Sequence, residues 1–148
     1  MKRLLLVLLV TTVILSVGCA KAQPEVTAEI TPLEVPTPII ADITTQDAFT
    51  LIQSNEDNPD FVIIDVRTPQ EFATGHIENA INLDYRSETF QEELNSLDKD
   101  KTYLVYCGVG SRSASALDIM GVLGFMEAYN MLGGIEQWQK DERPITGG

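Results

Sequence analysis

Histidine, tryptophan and cysteine are nearly absent from this chain: 148 residues hold one histidine, one tryptophan and two cysteines. One histidine and two distant cysteines, Cys19 and Cys107, supply too few ligands for a zinc site, and no Cys-x-x-Cys pair exists for dithiol redox chemistry. Neither a metal nor an organic cofactor is expected. Basic residues are also scarce. Ten lysines and arginines stand against 22 aspartates and glutamates, a formal charge of −12. That excess argues against nucleic acid as a partner, because neutralising a phosphate backbone takes a basic surface. A small anion stays open as a ligand, since charges beyond about 8 Å are screened at physiological salt and the local field of a loop then decides. A long uncharged run occurs only at the start, from Leu4 to Val17, and an apolar share of 44% fits one domain of ordinary size.

Lys2 and Arg3 before that run, with Gly18 and Cys19 after it, read as a signal peptide over residues 1–18. The segment resembles a bacterial lipoprotein signal, in which Cys19 becomes the lipidated first residue after Leu15-Ser16-Val17-Gly18. The alternative is an uncleaved anchor helix, although Leu4 to Ala20 lies at the short limit of a span of about 17–25 residues. Both readings place the globular part on the extracytoplasmic face of a membrane. Cleavage removes Lys2 and Arg3 and takes the formal charge from −12 to −14. Pro24, Pro32, Pro36 and Pro38 mark residues 19–41 as a linker without helical or strand period. At about 3.1 Å per residue, such a segment holds a domain up to roughly 60 Å from its anchor. The domain is expected over residues 42–145, with 146–148 as a tail.

Strand and helix signals alternate within it. Thr44 or Thr45 caps a short amphipathic helix through Ala48, Leu51 and Ile52, and a polar turn from Asn55 to Asp60 follows. Phe61 to Asp65 is an apolar run of the kind that is covered on both faces of a sheet. Pro69 opens a helical turn through Phe72, Ala80 to Leu83 reads as a strand, and Ser87 to Leu97 as a helix. Tyr103 to Tyr106 is the next strand, Ser111 to Leu123 a helix stopped by Gly124, Tyr129 to Leu132 a strand, and Ile135 to Lys140 a last helix. The alternation predicts an α/β domain with a central parallel sheet of about five strands, flanked by helices on both faces. Functional loops then lie at the carboxyl ends of strands.

Cys107 stands at such an end, where Thr102-Tyr-Leu-Val-Tyr106 runs into Gly108-Val-Gly-Ser-Arg112 and the start of a helix. Backbone N–H groups from Gly108 to Arg112 and a helix N-terminus are expected to converge on the sulfur and favour its thiolate. A disulfide from Cys19 to Cys107 is open to an exported chain, whereas a lipid thioether on Cys19 leaves Cys107 unpaired. A buried cysteine after a strand is ordinarily a small hydrophobe. The glycine-rich turn favours the reactive reading here.

Three blocks in order carry a resemblance. They are Asp65-Val-Arg-Thr-Pro-Gln-Glu-Phe-Ala-Thr-Gly-His-Ile-Glu-Asn-Ala-Ile-Asn-Leu83, with Asn79 where glycine is usual; Cys107-Gly-Val-Gly-Ser-Arg-Ser113; and Leu132-Gly-Gly-Ile135 with Trp138. Over about residues 42–145 the chain resembles the rhodanese family of sulfurtransferases. The resemblance implies a catalytic Cys107 that carries a persulfide, with Gly108, Val109, Gly110, Ser111 and Arg112 around the transferred sulfur. It implies a small sulfur-containing anion as donor, such as thiosulfate or a polysulfide, and a thiol or cyanide as acceptor. Arg112 either holds donor oxygens or is a surface arginine of the first helical turn. Gly108 stands where relatives often carry arginine, which implies weak thiosulfate binding. Asp65, Arg67, Glu71 and His76 are implied as structural support, with Arg67 paired to Glu71 and His76 not a base. Ile135, Trp138 and Tyr106 are expected to pack, and a monomer is expected.

Three rival readings remain. One is a noncatalytic rhodanese module that binds partners or ferries sulfur. A small phosphatase is the second, disfavoured because phosphatases of related shape place five residues between cysteine and arginine, whereas four separate Cys107 from Arg112. The third, a dinucleotide site at Gly108-Val-Gly, lacks the third glycine, replaced by Ser113.

Overall fold

The computed structural model describes residues 36–147. The signal peptide, Cys19 and most of the linker lie outside the described residues.

Five parallel strands form one sheet: β1 (Ile39–Ile43), β2 (Phe61–Asp65), β3 (Ile81–Asn82), β4 (Thr102–Tyr106) and β5 (Glu127–Met131), in the order β1-β5-β4-β2-β3. Five helices connect or follow them: α1 (Thr45–Ser54), α2 (Pro69–Ala73), α3 (Phe90–Asn95), α4 (Ser111–Leu123) and α5 (Gly134–Lys140). The α/β sheet flanked by helices on both faces is the architecture that the alternation predicted. Period-2 alternation divides the core. Ile64, Tyr103, Val105 and Ala128 face α3 and α4, where Phe90, Leu94, Ala116, Leu117 and Met120 cover them. Ile63, Leu104, Tyr106 and Met131 face α1 and α5, against Ala48, Ile135 and Trp138. Double coverage explains why β2 and β4 read as continuous apolar runs.

Helix boundaries follow local chemistry. Thr44 caps α1 by accepting from the Asp47 amide, and Thr68 closes a capping box with Glu71 at α2. Gly124, left-handed at φ 83°, ends α4 where the sequence placed the stop. Asn79 holds φ 62°, which explains its place in a position usual for glycine: asparagine tolerates the left-handed region better than other side chains.

Both ends of the domain differ from the sequence reading. β1 begins at Ile39 and pairs with β5 from Ile39↔Glu127 to Ile43↔Met131, so the domain starts inside the stretch read as linker. At the other end, Thr146 of the supposed tail exchanges two backbone hydrogen bonds with His76, both 2.8 Å.

Topology fixes the site. β2 and β4 are neighbours, yet β2 leads through α2 outward to β3 while β4 leads through α4 outward to β5. Their carboxyl ends therefore flank the point where the connections diverge, the place where open α/β sheets form a crevice. Cys107 lies there.

Candidate active site

Cys107 follows the last residue of β4, and its side chain has no exposed surface. Gly110 donates its backbone N–H to Cys107 Sγ at 3.1 Å, and Ser113 Oγ donates to the same sulfur at 3.5 Å. Burial alone would push the Cys107 thiol up, but bonds from the Ser113 hydroxyl and from the amides of Ser113, Val109 and Gly110 outweigh it, and the pKa falls below the ordinary thiol value. Those amides belong to the turn and first residues of α4, whose N-terminus adds its dipole. The bowl therefore stabilises negative charge on a sulfur.

What turns the amides inward lies on α5. The amides of Ile135 and Glu136 donate to the carbonyls of Cys107 and Gly108 at 2.8 and 3.1 Å. Each peptide unit is rigid, so tying a carbonyl outward aims the following N–H toward the bowl. Close approach requires glycine at Gly134: a β-carbon there would stand 2.4 Å from the Cys107 carbonyl oxygen and 2.5 Å from that of Gly108. Gly110, at φ 96°, meets Gly133 N in the same way, at 3.1 Å from a built β-carbon. The Leu132-Gly133-Gly134-Ile135 block is thus the outer wall of the cysteine loop.

The pairing expected between Arg67 and Glu71 does not form. Arg67 precedes the N-cap Thr68, so the two are not one helical turn apart on a helix. Its guanidinium instead folds back on the buried Asp65 carboxylate, with Nη2 at 2.6 Å, and donates also to the Gly75 carbonyl at 2.6 Å. Burial alone would lower the Arg67 pKa, but bonding to Asp65 raises it above the ordinary value. Asn82 adds a second brace from β3, donating to the carbonyls of Asp65 and Arg67 at 2.9 and 2.8 Å.

Glu71 turns the other way, across the crevice. Arg112 grips its carboxylate with both terminal nitrogens, at 2.9 and 2.8 Å. That ion pair, then the Thr68 amide and hydroxyl, hold Glu71 well down, to about 2, against a smaller opposing push from burial. Arg112 is raised by the same pair and, to a lesser degree, by its proximity to Cys107. It is neither a free surface arginine nor an unengaged anion clamp. His76 lies in the loop after α2: its Nδ1 donates to the Phe72 carbonyl at 3.0 Å and its ring stacks on Phe72 with centroids 3.7 Å apart. Tyr106 is fully buried, and its hydroxyl accepts from the Ile77 amide at 3.0 Å. Ser113, Asn82 and Gly134 were not singled out from sequence. Only Gly134 carried a signal for the loop, as half of a Gly-Gly pair.

A profile of the rhodanese-like domain matches residues 44–141. The chain belongs to the rhodanese-like domain family. Its sequence is similar to the thiosulfate sulfurtransferase GlpE of Coxiella burnetii, 39% identical over 80 residues, covering 54% of this chain and 73% of that one. A second relative is the tRNA uridine(34) hydroxylase of Photorhabdus laumondii, 37% identical over 93 residues; the match takes 59% of this chain but only 26% of that protein's length. Among solved structures, a rhodanese-related protein of Thermoplasma volcanium superposes with a TM-score of 0.60 at 30% identity, covering 72% of this chain and 97% of that one. Rhodanese-like membership places the chain in a family whose relatives include named sulfurtransferases. A cavity of about 420 Å³ exists on the α1 side of the rhodanese-like domain, walled by Phe49, Ile52, Trp138 and Pro144, and none of the cysteine loop reaches it.

Proposed function

We propose that this chain is a membrane-tethered sulfurtransferase of rhodanese type, in which Cys107 takes a sulfane sulfur from a donor and passes it to a thiol or cyanide acceptor. The observation that carries the reading is the donor set on Cys107 Sγ, from Gly110, Ser113 and the turn, together with the free state of Cys107 among the described residues. Cys107 thiolate attacks the outer sulfur of the donor, the donor's sulfur–sulfur bond breaks, and the electron pair leaves with the remainder of the donor. The persulfide then surrenders its outer sulfur to an acceptor thiolate, and Cys107 thiolate returns. Two nucleophilic displacements at sulfur need no oxidant. The amides that hold the thiolate also hold the persulfide anion that replaces it. Gly108, Val109, Gly110, Ser111 and Arg112 line the path, while Asp65, Arg67, Glu71 and His76 keep the neighbouring loop in place.

Intact-mass measurement after exposure of the purified chain to thiosulfate or polysulfide tests the reading. One added sulfur atom is expected, removed again by cyanide or a small thiol. No gain with any donor would leave the noncatalytic module as the better account.

Tethering through Cys19 is part of the same proposal and rests on the sequence alone. The Cys19→Ser chain is expected to leave the membrane fraction on cell fractionation; unchanged membrane association would point to the uncleaved anchor helix instead.

A further inference from the structure

We propose that the cavity on the α1 face is a second ligand site, built for a small organic cation: a primary ammonium group carried on an aromatic or branched aliphatic body. None of the cysteine loop lines it, so the inference stands whether or not the sulfurtransferase reading does.

The wall is the first observation. A volume of about 420 Å³ lies within the range of about 300–1,000 Å³ that ligand pockets occupy, toward its small end. Ile63, Ile77 and Trp138, all buried, line the cavity together with the half-buried Phe49, Ile52 and Phe61. An apolar body of matching size gains by leaving water for this surface. Three of these six side chains are aromatic, and aromatic faces attract cations. The protein already uses that attraction next to the cavity, where the Arg143 guanidinium lies 4.1 Å from the centroid of the Phe49 ring.

Charge at the rim is the second observation. Glu56, on the loop after α1, and Glu78, on the loop before β3, both line the cavity and are exposed. Neither takes part in an ion pair among the described residues, whereas Asp60, Asp65 and Glu71 each have a cationic partner. Among the described residues no lysine, arginine or histidine lines the cavity. An anion entering it meets two carboxylates and no counter-charge in the lining; an ammonium meets two unpaired partners.

Asn79 supplies the third observation. Its φ of 62° is a conformation that glycine adopts without steric cost, yet the chain places there an amide that lines the cavity. Asn55 and Asn58, also on the rim, are tied to each other, Asn58 Nδ2 donating to Asn55 Oδ1 at 2.8 Å. The side chains of Gln53 and Asn79 have no hydrogen-bond partner among the described residues. Their carbonyl oxygens are left to accept, and an ammonium brings three donors and no acceptor.

Trp138 is the only tryptophan of the chain and lines the cavity, so its fluorescence reports occupancy. The test titrates the purified chain with 2-phenylethylammonium, with 3-phenylpropionate and with 2-phenylethanol, read by Trp138 emission and by saturation-transfer NMR from protein to ligand. Saturable binding of the ammonium is expected, with the carboxylate weaker by about tenfold or more. The exposed pair of changes Glu56→Gln and Glu78→Gln, made together, is expected to weaken the ammonium about fivefold and to leave 2-phenylethanol unchanged. Asn79→Gly, which suits the backbone at that position, is expected to weaken the ammonium several-fold. No saturable binding of the ammonium by either readout would overturn the inference. So would equal affinity for the carboxylate, or a double variant that binds the ammonium as tightly as the wild type.

Discussion

Cys107→Ser is expected to abolish sulfur loading and to lower sulfurtransferase turnover by a factor on the order of 10³ or more, to the uncatalysed background. Serine keeps the size of the side chain and its bonds to Gly110 and Ser113, so the fold survives. Its hydroxyl stays protonated near neutral pH, however, and oxygen forms no exchangeable persulfide. Intact mass gives the loading and circular dichroism the fold. Retention of even a tenth of the turnover in a folded Cys107→Ser chain would place the chemistry elsewhere.

Gly134→Ala, a change of one methyl group, is expected to cost about 3–5 kcal/mol of stability, combining a left-handed backbone with overpacking. Position 134 holds φ 58°, and the added β-carbon would stand 2.4–2.6 Å from the Cys107 and Gly108 carbonyls. Backbone atoms cannot rotate away as a side-chain tip can. Relief requires α5 to retreat, which lengthens the bonds from Ile135 and Glu136 to those carbonyls and releases the inward aim of the amides. A shift near 1 Å at the reacting group is worth about a hundredfold in rate. The urea midpoint and the loading rate should fall together. Gly124→Ala is the comparison, because it too has a positive φ, 83°, but nothing within 4 Å of the new carbon. It should lose stability by about 1–2 kcal/mol and keep its loading rate. Equal loading by wild type and Gly134→Ala would refute the role given to the wall.

Much of this arrangement was legible because local and global signals agreed. Residues 102–123 state an apolar strand, a glycine turn and a helix stopped by glycine, and each is where the periodicity put it. Elements that failed were those whose cause is remote. β1 escaped notice because Ile39–Ile43 is short, follows Pro36 and Pro38, and is made a strand by pairing with β5 more than eighty residues later. Arg67 and Glu71 have the spacing of a helical pair, but the helix begins between them, and their partners, Asp65 and Arg112, are set by the fold. Ser113 is one serine among several near the helix start. Only the turn of Gly110 and the direction of α4 bring its hydroxyl onto the sulfur. His76 tempts a reader as a base; the structure engages it with Phe72 and Thr146.

Ionisation of Cys107 also bears on stability, and its sign is fixed by the direction of the shift. A thiol held below its unfolded value binds fewer protons when folded than when unfolded, so stability rises with pH across the window between the two values and is lost as pH falls through the folded one. The donor set that favours reaction thus also favours the native loop above that window.

The most direct measurement is the ultraviolet titration of the Cys107 thiolate in the wild-type chain, with Ser113→Ala beside it. The bowl of donors predicts a midpoint below the free-cysteine value of about 8.5, moving back up when the Ser113 hydroxyl is removed. A wild-type midpoint at or above that of free cysteine would mean that burial outweighs the amides, and would contradict the account at its centre.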